Sequence, residues 1–333
     1  METAGRASPE LVYSLRRVTE SAALAAFDWI GRGDGQDGGR AALDAMRRAF
    51  ALVDIDATVV IGEPTKGEAP QPARGERLGR TGAAFKADLA VDPVEGTSYL
   101  GRGQTNALAV LAVAPRGTMM NPGPAFYMEK FVAPAAAHGK IDPRWRTDRK
   151  LKALGQALGK QVADLTIYVL EKPRHRVLVE EIIGAGARVA LYPAGDVAGA
   201  LLAAIPNSGI DALMGTGGTP EGVMSACAVR ALGGEFLGRI DPQLHTEAKA
   251  VRDAGISTTR WHSRDEIIGS GDVFFCATGI TTGLMLEGVE RSNSHYKVQT
   301  MMVTGATGER QIITSHLPIA RLAEAGRGAR DVA

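Results

Sequence analysis

The chain has 333 residues, with 38 Lys and Arg against 37 Asp and Glu, and so a net charge of +1. That balance gives no global field to attract nucleic acid or an acidic membrane surface. An apolar share of 45% is ordinary for a globular protein, and the length exceeds what one compact core usually fills, so two subdomains are expected, 1–145 and 146–333.

The N-terminus lacks the basic, apolar and small-residue succession of a signal peptide. The longest apolar run, Ala107 to Ala114, is too short to span a bilayer. Cys227 and Cys276 lie in apolar segments without metal-ligand spacing and read as buried structural thiols of a reducing compartment. A cytoplasmic protein is expected.

Taken in order, apolar residues recur at helical spacing from Glu10 to about Ile30. The stretch Gly31–Gly39 reads as a loop, with Asp37 capping a helix from Arg40 to about Ala51. Ala57 to Ile61 reads as a buried strand ended by Gly62-Glu63-Pro64, and residues 64–84 read as a loop or flap. Ala87 to Val91 reads as a strand that Pro93 and Gly96 break into a tight turn. Strands follow over Thr105 to Ala114 and Phe126 to Val132, then a linker-like stretch from Pro134 to Thr147.

Beyond it the pattern alternates strand and helix, the mark of an α/β layer. Strands are predicted over Leu165–Leu170, Arg188–Tyr192 and Ala212–Met214, and helices over Val177–Ala185 and Val197–Ile205. Thr219 and Pro220 read as cap and first residue of a helix to about Leu232, and Asp241 and Pro242 of another to about Ala254. Strands over Asp272–Ala277, Lys297–Val303 and Arg310–Ser315 complete the prediction.

Three stretches carry chemistry. In Val91-Asp92-Pro93-Val94-Glu95-Gly96-Thr97-Ser98 a turn at a strand end aims Asp92, Glu95 and the Thr97 hydroxyl at one small volume. Oxygen-only ligands of this kind suit Mg²⁺ or Mn²⁺, and a hydroxyl beside the ion can orient a water. The same residues also fit a surface turn with two solvated acids. In Gly215–Gly222, glycines ahead of a helix N-terminus leave backbone N–H groups for an anion, and Glu221 suits either the helix dipole or a metal. Neither a P-loop lysine nor a dinucleotide fingerprint accompanies them, which disfavours nucleotide binding. In Lys172-Pro173-Arg174-His175-Arg176, cations close a buried strand, where open α/β sheets bind ligands, and fit either a phosphate or a solvated loop. His175 reads as a packing or phosphate-neighbour residue. Together these stretches describe metal-assisted hydrolysis of a phosphate ester on a sugar phosphorylated at both ends.

At this point the sequence resembles the class II fructose-1,6-bisphosphatases, a branch of the lithium-sensitive, inositol-monophosphatase-like phosphatases. The matching segments run from Arg17–Ala25 and Gly31–Asp34 through Val60–Glu63, Asp92–Thr97, Tyr127–Lys130, Lys172–His175 and Gly217–Val223 to Phe275–Ile280. The resemblance implies a layered αβαβα sandwich, a homo-oligomer (dimer or tetramer), and removal of the 1-phosphate of fructose 1,6-bisphosphate or also sedoheptulose 1,7-bisphosphate. It implies metal ligands at Glu63, Asp92, Glu95 and Glu221, with Thr97 holding the attacking water. It also implies a substrate set of Glu95, Gly96, Thr97, Tyr127, Lys172, Pro173, Arg174, Gly195, Asp196 and Gly218.

Departures cluster near one metal site. Gly39 stands where the family has an acid, with Asp37 as its replacement only if the loop re-registers. Pro64-Thr65-Lys66-Gly67-Glu68 replaces a more acidic run, and Ala194-Gly195-Asp196 replaces Asp-Gly-Asp. Fewer carboxylates imply a weaker cation there, or partial replacement by the Lys66 ammonium. Two other readings stay open: the same chemistry on another phosphosugar, and a sugar-phosphate-binding protein without turnover.

Overall fold

The run Leu108–Pro115 has no polar face: Val110, Ala112 and Ala114 are buried on one side, and Ala109, Leu111 and Val113 on the other. A strand buried on both faces must be covered on both sides, and that requirement builds the molecule in layers. The computed structural model describes residues 8–33, 35–62 and 72–320. Its first elements are α1 (Pro9–Phe27), α2 (Gly35–Phe50), β1 (Asp56–Ile61), β2 (Arg77–Gly79), β3 (Lys86–Glu95), α3 (Thr97–Arg102), β4 (Leu108–Pro115) and β5 (Tyr127–Ala133). There follow α4 (Thr147–Leu158), β6 (Thr166–Leu170), α5 (Arg176–Gly184), β7 (Arg188–Tyr192), α6 (Asp196–Ala204), β8 (Ala212–Gly218) and α7 (Thr219–Leu232). The chain ends with β9 (Glu235–Ile240), α8 (His245–Asp253), β10 (Trp261–Ser263), α9 (Arg264–Ile267), β11 (Phe274–Gly279), β12 (Glu290–Arg291), β13 (His295–Thr304) and β14 (Arg310–Pro318).

The strands form two mixed sheets. The first has the order β12-β13-β11-β4-β3-β1-β2, with β14 also paired to β13; the second has the order β10-β9-β5-β8-β6-β7. Only β1 with β3, and β6 with β7 and β8, run parallel. Helices α1 and α2 cover one face of the first sheet. Helices α6 and α7 lie between the sheets, where α7 touches β4 and β11 on one side and β5, β8 and β9 on the other. On the far face of the second sheet, Leu151 and Leu154 of α4 and Ile182 of α5 pack on Phe131, Ile167 and Met214. The result is the expected αβαβα sandwich. Residue 145, where the expected subdomain boundary lies, falls between β5 and β6 of the same sheet.

Several boundaries differ from the prediction, each for a physical reason. β3 does not stop at Val91 but runs to Glu95, because Pro93 and Val94 face one residue of β4 across a bulge: Asp92 pairs with Val110 and Glu95 with Leu108. A bulge asks no ladder bond of a proline, so the turn waits until Gly96, which takes φ +83°. The expected loop at Gly31–Gly39 is helical from Gly35 onward, so Asp37 lies in the first turn of α2 rather than capping it. A Cβ at Gly35 would sit 2.5 Å from the Thr97 carbonyl, and one at Gly38 2.5 Å from Leu100. Glycine costs a helix about 1 kcal/mol relative to alanine, and here it lets α2 press against α3.

Further on, β8 extends through Gly218, which pairs with Tyr127, so Gly215–Gly218 are strand residues and not an open anion-binding loop. Gly218, and not Thr219, precedes α7. α8 begins at His245, and Asp241 instead accepts hydrogen bonds from the Thr216 hydroxyl and the Gln243 amide. Strands β2, β9, β10 and β12 have no counterpart in the prediction.

Candidate active site

The bulge in β3 turns Asp92 and Glu95 out of the strand end, and Glu221 reaches the same place from the first turn of α7. Carboxylate oxygens of Asp92, Glu95 and Glu221 all lie within 4.8 Å of one another, with Asp92 and Glu95 buried. The Asp92 Oδ1 accepts the Val94 N–H at 3.0 Å, taking up a donor within the bulge. Glu95 Oε1 accepts the Val197 N–H from the first turn of α6 at 3.4 Å. Burial first, and then the charges of Glu221, Asp92 and Asp196, push the Glu95 carboxyl well above the usual carboxylate range.

Like charges about 4 Å apart repel by about 4 kcal/mol at an effective dielectric of 20. A cation between them would favour the ionised form of all three acids. The donor set is all oxygen, which fits a hard divalent cation and not a soft one.

The residues opposite come from the second sheet. β6, β7 and β8 run parallel, so the segments after them leave from one end: Lys172–His175, Ala194–Asp196 and Gly218–Glu221. That is where such sheets bind ligands. Asp196 is buried and ion-paired with Lys130, whose Nζ also donates to the Gly218 carbonyl at 2.8 Å. Lys130 therefore ties the starts of α6 and α7 to β5. The Ala194 carbonyl accepts from both the Tyr99 and Tyr168 hydroxyls at 3.0 Å, and the Ala194 N–H donates to the Tyr99 hydroxyl at 2.8 Å. The backbone at Ala194–Gly195 is thus pinned from α3 and from β6.

In the basic segment, Pro173–His175 form one 3-10 turn. The Arg174 guanidinium lies over the Tyr127 ring at 5.1 Å, and its Nε donates to the Thr216 carbonyl at 3.0 Å. β6 pairs with β8 only at Ile167 and Tyr168, and beyond that the His175 ring bridges the two strands. Its Nδ1 meets the Leu170 carbonyl at 2.6 Å and its Nε2 accepts the Thr216 N–H at 2.8 Å. Those partners require a neutral ring with the proton on Nδ1.

Residues 9–317 match the family described as bacterial fructose-1,6-bisphosphatase, glpX-encoded. The chain belongs to that family. It is 41% identical over 312 residues, 89% of this chain and 91% of the other, to fructose-1,6-bisphosphatase 1 class 2 of Escherichia coli K12. It has the same identity and coverage against the class 2 fructose-1,6-bisphosphatases of Escherichia coli O6:H1 and Shigella flexneri.

Within this member of the glpX-encoded family, Asp92, Glu95 and Glu221 converge and Asp196 joins them through its charge on Glu95. Thr97 opens α3 directly after Gly96, two residues from Glu95. Asp37 stands apart among the described residues: its side chain is 55% exposed and lies 3.8 Å from Arg40. Gly39 is buried in α2. Glu63 and Lys66, on which the expected weaker cation site depends, lie outside the described residues.

The sequence reading gave no role to Lys130, Tyr99 or Tyr168. For Lys130 a signal existed, since it falls between Met128 and Val132 at strand period, on the face that those residues bury between the sheets.

The bridge made by His175 has a consequence for stability. Burial chiefly, and Arg174 in addition, lower its pKa below the ordinary 6.5, against the opposing effects of Asp196 and of the backbone bonds. A base depressed in the fold is protonated first in the unfolded chain. Its contribution is therefore complete above about pH 6.5 and fades as the pH falls below that value. Thermal melts at pH 7 and pH 5 should show a larger loss for the native protein than for His175→Gln, whose amide offers a donor and an acceptor without titrating. Equal losses would rule the account out.

Proposed function

We propose that this chain is a divalent-cation-dependent sugar-bisphosphate 1-phosphatase, hydrolysing fructose 1,6-bisphosphate to fructose 6-phosphate and phosphate. The observation that carries this reading is the convergence of Asp92, Glu95 and Glu221 at one point, in a chain of the glpX-encoded family. Asp92, Glu95 and Glu221 would hold Mg²⁺ or Mn²⁺, which when bound neutralises phosphate charge and acidifies water. The Thr97 hydroxyl positions the water for in-line attack on phosphorus. Lys172 and Arg174 grip the far phosphate, the planar guanidinium resting on Tyr127. Asp196 accepts from a sugar hydroxyl while Lys130 holds it in place. Gly96, Gly195 and Gly218 bring backbone close to the sugar.

One observation favours a second substrate. Ala194 offers no carboxylate, so a sugar hydroxyl loses an acceptor there, a loss worth ~1–3 kcal/mol when a polar group is left unpaired. That shifts selectivity toward another phosphorylated sugar. The deciding experiment is phosphate release from fructose 1,6-bisphosphate, sedoheptulose 1,7-bisphosphate and a panel of sugar monophosphates, with Mg²⁺, with Mn²⁺ and with chelator. Cation-dependent release from fructose 1,6-bisphosphate is expected. Release from a different sugar alone would transfer the activity to it, and none from any would leave a binding protein.

Lys130→Met should lower kcat/KM about 10–100-fold, the usual cost of losing a group that orients site ligands. An unchanged kcat/KM would remove Lys130 from the site. We also propose a homo-oligomer, dimer or tetramer. Val177 and Ile183 on α5 and Leu191 on the edge strand β7 are exposed apolar groups suited to a second copy. Light scattering reads the state, and a monomer at micromolar concentration would contradict it.

A further inference from the structure

Lys130 pairs with the Asp196 carboxylate, but the backbone that carries Asp196 has no cap of its own. Gly195 precedes α6 with φ +94°, and no side chain caps that helix. A helix start is ordinarily fixed by a Ser, Thr, Asp or Asn in that place. Here two buried tyrosines take the role from outside the helix, Tyr99 at 5% exposure and Tyr168 at 1%.

Their hydroxyls satisfy both backbone polar groups of Ala194. The Tyr99 hydroxyl donates to the Ala194 carbonyl at 3.0 Å and accepts the Ala194 N–H at 2.8 Å. Tyr168 has one hydroxyl proton, shared between the Ala194 carbonyl at 3.0 Å and the Gly195 carbonyl at 2.9 Å. Tyr192 stacks on the Tyr168 ring at 4.7 Å, and that ring packs on α6 so closely that a Cβ at Gly199 would lie 2.5 Å from it. The Tyr99 ring rests on the turn that carries Thr97, where a Cβ at Gly96 would lie 2.8 Å from it. Ala194 in turn packs against the cluster that contains Tyr99 and Leu100. Tyr99 therefore joins the turn after β3 to the start of α6. A second link, from the Val197 N–H to Glu95 Oε1, is long at 3.4 Å, and Glu95 is a candidate ligand for the cation. The Tyr99 link asks nothing of the acids.

We propose that Tyr99 and Tyr168 are positioning residues for Asp196, fixing the helix start from which it meets a sugar hydroxyl. This role rests on the proposed phosphatase reading. Asp196 would touch the sugar alike in the ground state and in the transition state, so loosening it weakens binding and spares the chemical step. The loss should therefore fall on KM and not on kcat. Tyr99→Phe keeps the ring against Gly96, so Thr97 stays in place, while the Ala194 N–H loses its acceptor.

The test measures kcat and KM for fructose 1,6-bisphosphate with Mg²⁺, and its Kd by calorimetry without divalent cation. It compares the native protein, Tyr99→Phe, Asp196→Ala and the double variant. Tyr99→Phe should raise KM and Kd about tenfold, the order expected of a buried N–H left unpaired, with kcat within about threefold. In the Asp196→Ala background it should add nothing further, because the residue it positions is gone. A loss of general stability would act in both backgrounds alike. Unchanged KM and Kd, a fall in kcat at constant KM, or a further rise of the same size in the Asp196→Ala background would overturn the proposal. Should Tyr99→Phe fail to fold, Tyr168→Phe is read by the same criteria. Should Asp196→Ala fail, Lys130→Met with Asp196→Ala removes both members of that buried pair and takes its place. A native protein that binds the bisphosphate without releasing phosphate would end the phosphatase reading, and the Kd comparison would still decide the positioning. One that does neither would overturn both.

Discussion

Asp92→Asn should abolish cation-dependent phosphate release while leaving the fold intact. The side chain is buried at the end of β3, and its Oδ1 accepts the Val94 N–H. An asparagine keeps that acceptor and the same volume, so the bulge survives. What it removes is one of three charges that lie within 4.8 Å of each other. A group aimed at charge developing in the transition state is worth about 10²–10³ in kcat, and loss of a ligand to the ion should cost at least as much. In cation-free buffer the variant should melt no lower than the native protein, because a like-charge contact has been relieved. Added Mg²⁺ or Mn²⁺ should raise the melting temperature of the native protein and leave that of Asp92→Asn nearly unchanged. A variant that retains activity within tenfold, or gains the same stabilisation from the cation, would show that the three acids do not hold the ion together.

What the sequence made legible, and what it did not, divides along the range of the interactions involved. Strand β4 could be read because its apolar run carries its own evidence, and layering follows from the burial of both its faces. Asp92, Glu95 and Glu221 were legible because the Pro93–Gly96 stretch and the Pro220 helix start mark their positions locally, although Asp92 itself lies within β3. The path of β3 through Pro93 was not, since a bulge is a property of two strands and β4 had to be in place for it to form. The same holds for α2: the glycines at Gly35 and Gly38 read as a loop until the close approach of Thr97 and Leu100 is known. His175 looked like a packing residue, yet it stands in for ladder bonds between β6 and β8, a role visible only when Leu170 and Thr216 are side by side. Lys130 illustrates the limit from the other direction, because its position pointed inward while its partner, Asp196, lay 66 residues away.

The largest effect on stability is expected at another long-range contact, Arg16→Met. Arg16 and Glu20 are one helical turn apart on the buried side of α1, each 2% exposed. The Arg16 guanidinium is paired with Glu20 and donates to the Ser315 hydroxyl of β14 at 2.6 Å, and that hydroxyl donates to Glu20 Oε1 at 2.8 Å. Tyr13 closes over the guanidinium at 4.4 Å. The cluster joins the first helix to the last strand across 299 positions of sequence. Arg16 Nε and Glu20 Oε2 are both buried without a hydrogen-bond partner, so the pair is imperfectly compensated and is not expected to be worth much against an apolar pair of the same size. Removing one member is different. Arg16→Met leaves the Glu20 carboxylate buried with the Ser315 hydroxyl and, 4.0 Å from its Oε2, the exposed Arg17 guanidinium, and removing one member of a buried pair costs about 3–5 kcal/mol in comparable sites. Arg16→Met with Glu20→Leu removes both charges and should recover most of that loss, so the two substitutions are strongly non-additive. Denaturant unfolding of the native, single and double variants measures this directly. A single variant within about 0.5 kcal/mol of the native protein would mean that water reaches Glu20, since only surface positions tolerate such changes so well. If the double variant were as unstable as the single one, the cost would lie in packing against β14 and not in the stranded charge.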